Sequence, residues 1–465
     1  MQSKTRKFRQ SPSTSRSTVI LVLALAAVLA LLGAPAYAQD NVLVGTNQGA
    51  ASVRIAVADF KPLAADEQTT SFKRTFDATL YADLATAGIF DIVSKSLMPP
   101  GSPGAPSEMQ VQGYANAPAS ASFVAFGSLG VVGDKLVTNG FLFDAKNVQY
   151  PQVLAKQYSE EATDDSARQV AHRFADEIIL RLGGGTPGIA ETKIYYVKVI
   201  GSGANITKEI WMMDYDGANQ HAITHLGAIS LSPRVSPDNS RLAFSSLGRN
   251  GFQIRVYSLL LGRMVNFPEV GGTNITPAWS PDGREIAYSS SRTSDPEIWI
   301  SDAGGNLARR ITSFRGPDMS PVYNPRTGAQ IAWISGRTGL PQLYIMNTDG
   351  SGVQQMTDGG YATSPSWSPN GQFIAFAWDR KYGPGAPGGQ DIYVMEAATK
   401  KWTQLTFDSG RCDFPSWSPD TRHIVYANSP DGKPEHTRIW TMLADGRERR
   451  ALTGPGADMP NWSWK

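Results

Sequence analysis

Cysteine is nearly absent from this chain of 465 residues, and the one copy is Cys412. A single cysteine cannot form an internal disulfide, so the fold must be stabilised by its core alone. Histidine is scarce too, and only His221 and His225 have the spacing of a metal-binding pair. Because both fall in a predicted strand, roughly 13 Å would separate them, which is too far for one ion.

Catalytic motifs are missing as well. The chain contains no G-x-S-x-G nucleophile elbow, and the nearest imitation, Gly201-Ser-Gly203, is typical of a loop. Asp214-Tyr-Asp-Gly217 begins like a calcium-binding loop but lacks the third acidic ligand and the closing glutamate, so it predicts a β-turn. These absences argue against a peptidase and against an EF-hand site.

Long hydrophobic runs are absent except for one near the start. The apolar stretch Val19–Leu32 follows a basic segment and precedes Ala36-Tyr-Ala38, which predicts an export signal over residues 1–38, cleaved between Ala38 and Gln39. Removing it takes away five basic residues, so the mature chain has 38 basic and 41 acidic residues. A slightly acidic chain is a poor candidate for binding nucleic acid.

One phrase recurs through the C-terminal part of the chain, most clearly as Pro277-Ala-Trp-Ser-Pro-Asp-Gly283. Its first prolines are Pro233, Pro277, Pro321, Pro365, Pro415 and Pro460, at intervals of 44, 44, 44, 50 and 45 residues. Repeats of about 40–50 residues are typical of propellers and solenoids. Each phrase precedes short alternating apolar runs separated by Asp-Gly turns, so one repeat corresponds to four antiparallel strands. The pattern predicts a β-propeller.

The way the predicted ring closes is also visible in the sequence. Three strand-like runs, Ile194–Val197, Ile210–Met213 and Ala222–Thr224, precede the first repeat without a proline-tryptophan phrase. The missing strand is supplied last, by Pro460–Trp464. Five complete units and this divided one predict six blades, closed by the C-terminal strand. Closure removes the exposed sheet edges that would otherwise promote aggregation.

The segment before the propeller has a different pattern. Val53, Ile55 and Val57 alternate as in a strand. Apolar residues at every fourth position predict two helices, one over Phe72–Leu84 and one with Asp164 or Asp165 as its N-cap. We therefore predict an α/β domain over residues 39–183, a linker over 184–188 and the propeller over 189–465. The stretch 99–118, rich in Pro, Gly, Ser and Ala, is predicted to be a surface loop.

The entry to the first blade, Gly188-Ile-Ala-Glu-Thr-Lys-Ile-Tyr-Tyr-Val197, is followed by Asp214-Tyr-Asp-Gly-Ala-Asn-Gln220. With the α/β domain and the repeated Trp-Ser-Pro-Asp-Gly turns, the mature chain resembles the periplasmic TolB family of the Tol-Pal envelope system. The resemblance implies a non-enzymatic adaptor without a cofactor. It would bind the lipoprotein Pal through the propeller, engage the inner-membrane-anchored protein TolA through the mature N-terminus, contact outer-membrane proteins, and support outer-membrane integrity and constriction at division.

The resemblance also places the two binding regions. The TolA-binding element would be the mature N-terminus, whose residues are Gln39, Asp40, Asn41, Val42, Leu43, Val44 and Gly45. The Pal-binding region would be the propeller mouth, formed by loops that enter the first strand of each blade and loops between its second and third strands. The predicted contact residues there are Asn274, Asp318, Met319, Arg337, Thr363, Asp413 and Asp458.

Several alternatives stay open at this stage. Arg292, Arg337 and Arg380 recur at one loop position, either as a cationic ring around an acidic mouth or as solvated arginines paired with nearby carboxylates. An exported hydrolase or lyase could use Asp318, Asp413 and Asp458 as acid and base. A propeller that binds a small ligand or a sugar is a third hypothesis. The repeated tryptophans, in contrast, indicate packing between blades.

Overall fold

A computed structural model describes residues 52–201, 203–382, 389–407 and 409–465. The predicted export signal, its cleavage site and the segment Gln39–Gly45 lie outside these residues. Within them, no helix is both long enough and apolar enough to cross a membrane.

The N-terminal domain is a mixed sheet covered by two long helices. Its strands are β1 (Val53–Val57), β2 (Lys61–Pro62), β3 (Phe90–Ile92), β4 (Phe123–Val132), β5 (Lys135–Asp144) and β6 (Gln152–Glu161). Its helices are α1 (Glu67–Thr86), α2 (Val111–Ala115) and α3 (Asp164–Leu182), with 3₁₀ turns at Lys95–Leu97 and Pro106–Glu108. The sheet order is β3-β1-β4-β5-β6, and β1 is parallel to both neighbours. Buried residues from α1, α3 and the sheet share one hydrophobic core.

Two details of this domain differ from the sequence-based expectation. Helix α3 is capped by Thr163, whose hydroxyl accepts the Ser166 N–H at 3.1 Å, and not by Asp164 or Asp165. Those two acidic residues lie in the first turn instead, where they stabilise the positive end of the helix dipole. The predicted surface loop 99–118 contains α2, and the Tyr114 ring is buried, because the loop covers the open side of the sheet.

Twenty-four strands form six four-stranded antiparallel sheets. The closing blade contains β7 (Lys193–Ile200), β8 (Thr207–Asp214) and β9 (His221–Ala222). Blade 1 contains β10 (Ser230–Val235), β11 (Arg241–Gly248), β12 (Gly251–Ser258) and β13 (Arg263–Val265). Blade 2 contains β14 (Asn274–Trp279), β15 (Glu285–Ser290), β16 (Glu297–Asp302) and β17 (Arg309–Arg310). Blade 3 contains β18 (Asp318–Tyr323), β19 (Gln330–Ser335), β20 (Gln342–Asn347) and β21 (Gln354–Gln355). Blade 4 contains β22 (Tyr361–Trp367), β23 (Phe373–Asp379), β24 (Asp391–Glu396) and β25 (Trp402–Gln404). Blade 5 is β26 (Arg411–Trp417), β27 (His423–Ser429), β28 (Arg438–Leu443) and β29 (Arg450–Ala451), and the last strand is β30 (Ala457–Trp462). Short 3₁₀ turns lie at Gly203–Asn205 and Pro434–His436.

The ring closes as predicted. Strand β30 pairs antiparallel with β7, in the register Asp458 with Val197 and Trp462 with Ile194, and so completes the closing blade in the order β30-β7-β8-β9. The Trp462 side chain is buried in the core between the closing blade and blade 5, and its indole N–H donates to the Thr192 hydroxyl at 2.8 Å. The six-bladed propeller after an α/β domain is therefore confirmed.

Every inner strand has a β-bulge at the residue before the repeated proline. The six residues are Ser232, Thr276, Ser320, Ser364, Phe414 and Met459, and all have a φ of 50–54°. This conformation costs about 1 kcal/mol or more for a residue with a Cβ atom. Local hydrogen bonds hold two of them, because the carboxylates of Asp413 and Asp458 accept the N–H groups of Phe414 and Met459 at 2.8 Å. A proline fits at the next position, because proline has no N–H to donate and the bulge interrupts the strand pairing there.

The α/β domain contacts only one face of the propeller in the described part of the chain. We call this the turn face, because it carries the turns between first and second and between third and fourth strands. His423 hydrogen-bonds the Thr86 carbonyl with 2.7 Å between the atoms, Arg168 donates to Asp216 at 3.0 Å, and Lys465 pairs with Asp176. The opposite face, which we call the mouth face, carries the other two sets of loops and makes none of these contacts.

A buried hydrogen-bond chain lies at the centre of this domain contact. Asp83 of α1 is 2.7 Å from Nδ1 of His172 on α3, and its other oxygen accepts the hydroxyl of Tyr215 from the propeller. Burial acts to lower the pKa of His172, but Asp83 outweighs it and raises that pKa above its ordinary value. Burial, with the Asp83 charge, also raises the pKa of Tyr215. The folded protein therefore binds a proton at His172 more tightly than the unfolded chain does.

The hydrogen bond between Asp83 and His172 predicts how the stability of the protein depends on pH. Since the folded-state pKa of His172 is raised, the stabilisation that it gives is complete below the ordinary value of 6.5 and is lost as pH rises through the folded-state value. We expect the melting temperature of the parent protein to fall more steeply above pH 6.5 than that of a His172→Gln variant. Thermal melts of both proteins across this range measure the difference, and equal slopes would contradict the role of His172.

Candidate functional site: the propeller mouth

Two of the predicted mouth residues do not reach the surface. The Asn274 amide donates to the Gln253 side chain and to the Gly272 carbonyl, both at 3.1 Å, and only 1% of Asn274 is exposed. Asp318 is completely buried and accepts a hydrogen bond from Arg337 at 3.2 Å. These side chains fix the loops around them. Because both side chains are buried, Asn274 and Asp318 are not placed for direct contact with a partner, contrary to the expectation from the sequence.

Asp413 and Asp458 come from neighbouring inner strands and are nearly buried. The two oxygens of Asp413 accept hydrogen bonds from Arg411 at 2.7 Å, from the Thr363 hydroxyl at 3.2 Å and from the Phe414 N–H. Burial, and secondarily the charge of Asp413, raises the pKa of Asp458. The structure thus brings Thr363, Asp413 and Asp458 together. Met319 lies on another inner strand, β18, and is partly exposed.

Of the three recurring arginines, Arg337 pairs with a carboxylate, that of Asp318, and all three stack on aromatic rings. Arg292 stacks on Trp299 with its guanidinium 4.3 Å from the ring centroid, and Arg380 stacks on Trp402 at 4.2 Å. Arg337 is 5.0 Å from the ring centroids of both Phe314 and Tyr344. Cation–π stacking of this kind orients an arginine and contributes about 0.5–1 kcal/mol at an exposed site. The arginines therefore hold the mouth loops against the outer strands.

The residues that the sequence analysis missed are apolar. Eight large hydrophobic side chains are 39–56% exposed in the mouth-face loops or at the strand ends that border them: Ile200, Ile206, Leu226, Leu247, Phe314, Leu340, Tyr382 and Phe407. We call these eight residues the apolar rim. They lie in loops and at strand ends distributed around the ring, where exposed apolar side chains are candidates for contact with a partner. Single apolar residues inside polar loops give no periodic signal, which is why pattern reasoning overlooked them.

No group of three or more His, Cys, Asp or Glu residues in the described part of the chain is arranged to hold a metal ion. The mouth therefore consists of an apolar rim, stacked arginines and a nearly buried pair of carboxylates. Such a surface suits contact with a macromolecule, because aromatic and arginine side chains dominate the centres of protein interfaces.

Comparison with known proteins agrees with this fold. The family model described as the TolB beta propeller domain matches residues 181–465. The Tol-Pal system protein TolB of Gluconobacter oxydans is 31% identical over 358 residues, which is 76% of each chain. Alignments with two Chlorobium proteins, each named a TolB homolog, cover only 44% and 60% of those relatives, at 29% and 30% identity. The crystal structure of TolB from Acinetobacter baumannii superposes with a TM-score of 0.73, at 23% identity, over 89% of this chain and 97% of that one.

Fold and site together define a two-domain β-propeller protein whose mouth face is not contacted by the α/β domain in the residues that the structure describes. Because the family model covers more than half of the chain and the Gluconobacter relative aligns over three quarters of it, the family follows directly. The chain belongs to the TolB family of the Tol-Pal system.

Proposed function

We propose that this protein is a periplasmic adaptor that binds Pal on the mouth face of the propeller and TolA through its mature N-terminus. The observation that carries the first half is the apolar rim, which surrounds the mouth on the face that the α/β domain leaves free. Family membership supports the choice of partners. In this role the protein would support outer-membrane integrity and constriction at division.

The proposed division of the chain follows the sequence-based expectation. Residues 1–38 would be an export signal removed after Ala38, and residues 39–183 would form the α/β domain. A linker over 184–188 would lead into the propeller at 189–465. The segment Gln39–Gly45 would then begin the mature protein, and the polar residues that follow it would allow it to reach a partner.

The proposal also makes the protein a binding protein and not an enzyme. Asp413 is the best candidate for acid–base chemistry at the mouth, but both of its oxygens already hold the loop and the neighbouring strand. We therefore expect the substitution Asp413→Asn to lower the stability of the protein without abolishing any catalytic activity. Turnover that survives purification and disappears in this variant would revive the hydrolase or lyase hypothesis.

The test of the two-partner proposal is capture of purified Pal and TolA by the mature protein. We expect a variant without Gln39–Gly45 to lose TolA and to retain Pal and the parent melting temperature, because the segment precedes the folded domain. A variant with a Gly/Ser segment of equal length in its place separates the effect of sequence from that of chain length and should also lose TolA. Capture of neither partner by the parent protein would contradict the proposal.

A further inference from the structure

The propeller axis contains a cavity that the proposed function does not use. It lies toward the turn face, is partly open to solvent, has a volume of about 90 Å³ and is lined entirely by propeller residues. Five tryptophans (Trp279, Trp367, Trp417, Trp462 and Trp464) and a ring of repeat prolines form its walls. Small-molecule sites are typically apolar with few polar groups, and this lining has that composition.

Arg234 is the one charged side chain among the residues that line this cavity. Its single hydrogen bond within the described residues is donated from Nη1 to the Pro233 carbonyl at 2.8 Å, and no carboxylate of that part of the chain forms an ion pair with it. Burial lowers the pKa of Arg234 to about 10. The Arg234 side chain is partly buried, and a cation partly withdrawn from water without a counter-ion costs free energy, so such an arginine is a candidate for binding an anion.

Two hydroxyl groups line the same cavity and are placed to donate. Ser366 accepts the Trp417 N–H at 3.3 Å, and Ser416 accepts the Trp462 N–H at 3.0 Å. Neither hydroxyl proton has an acceptor among the described residues. The cavity lining therefore contains one guanidinium, which matches a carboxylate, two hydroxyl donors on other blades, and aromatic and proline walls, which match an apolar group.

We propose that this axial cavity binds an apolar monocarboxylate, with the carboxylate on Arg234 and the apolar group against the tryptophans. The carboxylate could belong to a free small acid or to the C-terminus of a polypeptide that ends in apolar residues. The site lies toward the turn face, so it is separate from the apolar rim where Pal is proposed to bind.

The experiment titrates the mature protein with four probes by isothermal titration calorimetry, which measures the affinity of each probe. The probes are N-acetyl-tryptophan, the peptide Ala-Ala-Pro-Trp with a free C-terminus, and the carboxamide of each. We expect each carboxylate that binds to do so at least about tenfold more tightly than its carboxamide, because ionic hydrogen bonds are the strong ones. Binding of both carboxylates indicates a small-acid site, and binding of the peptide alone indicates a polypeptide terminus.

The decisive variant is Arg234→Met, which keeps an unbranched apolar stem and removes the charge. It should lose the preference for carboxylate and, without ligand, melt at a higher temperature than the parent, because a partly buried cation without a carboxylate partner has been removed. Arg284→Met, whose side chain is 85% exposed, is the matched control and should change neither property. Equal affinity for carboxylate and carboxamide, no binding of any probe, or a lower melting temperature for Arg234→Met would each overturn the proposal.

Discussion

Deletion of Pro460–Lys465 should prevent the propeller from closing. The deletion removes half of β30, so β7 loses its pairs with Asn461 and Trp462 and sheet edges become exposed. It also removes Trp462 from the core that joins the closing blade to blade 5. Loss of a large buried aromatic side chain alone costs about 3–5 kcal/mol, against a total stability of about 5–15 kcal/mol. We expect aggregation on expression or a much lower melting temperature.

A graded pair of substitutions separates closure from a general loss of chain length. Trp462→Ala should destabilise the protein by about 3–5 kcal/mol. Trp462→Phe keeps most of the apolar contact and loses the hydrogen bond to Thr192, so it should cost about 0.5–1.5 kcal/mol from that bond. Denaturant unfolding of the three variants measures the series. A truncated protein that unfolds like the parent would show that the ring does not depend on β30.

The second large effect concerns the apolar rim. Phe314 and Phe407 lie in loops that enter blades 3 and 5, and they are 56% and 52% exposed. Replacing both by aspartate puts two charges where an interface would exclude water. Because aromatic hot spots contribute about 2 kcal/mol or more each, we expect Pal affinity to fall at least about 100-fold in titration calorimetry.

Leu307→Asp is the matched control for the rim variant. Leu307 is 87% exposed and lies between β16 and β17, on the turn face. Its φ of 53° is well tolerated by aspartate. We expect Leu307→Asp to bind Pal as the parent does, and TolA binding to be unchanged in both proteins. An equal loss of Pal affinity in the rim variant and the control would contradict the assignment of the mouth face as the Pal-binding surface.

The repeats made the propeller predictable, because each proline-tryptophan phrase marks an inner strand and four periodic runs follow it. The first helix was equally clear from Phe72, Phe76 and Leu80, which are all buried. The cap at Thr163 was missed since aspartate and threonine cap helices comparably well, and adjacent candidates cannot be separated without coordinates.

The site was less predictable than the fold. Asn274 and Asp318 occupy mouth positions in the sequence, but only the packed structure shows that both side chains are buried. The rings that stack on Arg337 were not predicted, because Phe314 lies in a loop and Tyr344 on strand β20. Burial depends on contacts between distant segments, and those contacts leave no periodic signal in the chain.

Amide hydrogen exchange with and without Pal tests the central claim most directly, since it locates the binding face without a substitution. The account predicts that Pal protects the mouth-face loops, above all residues 311–317, 336–341 and 405–407. It predicts unchanged exchange in the turn-face segments 237–240, 281–284 and 303–308. Protection of the turn-face segments with no change at the mouth would contradict the account.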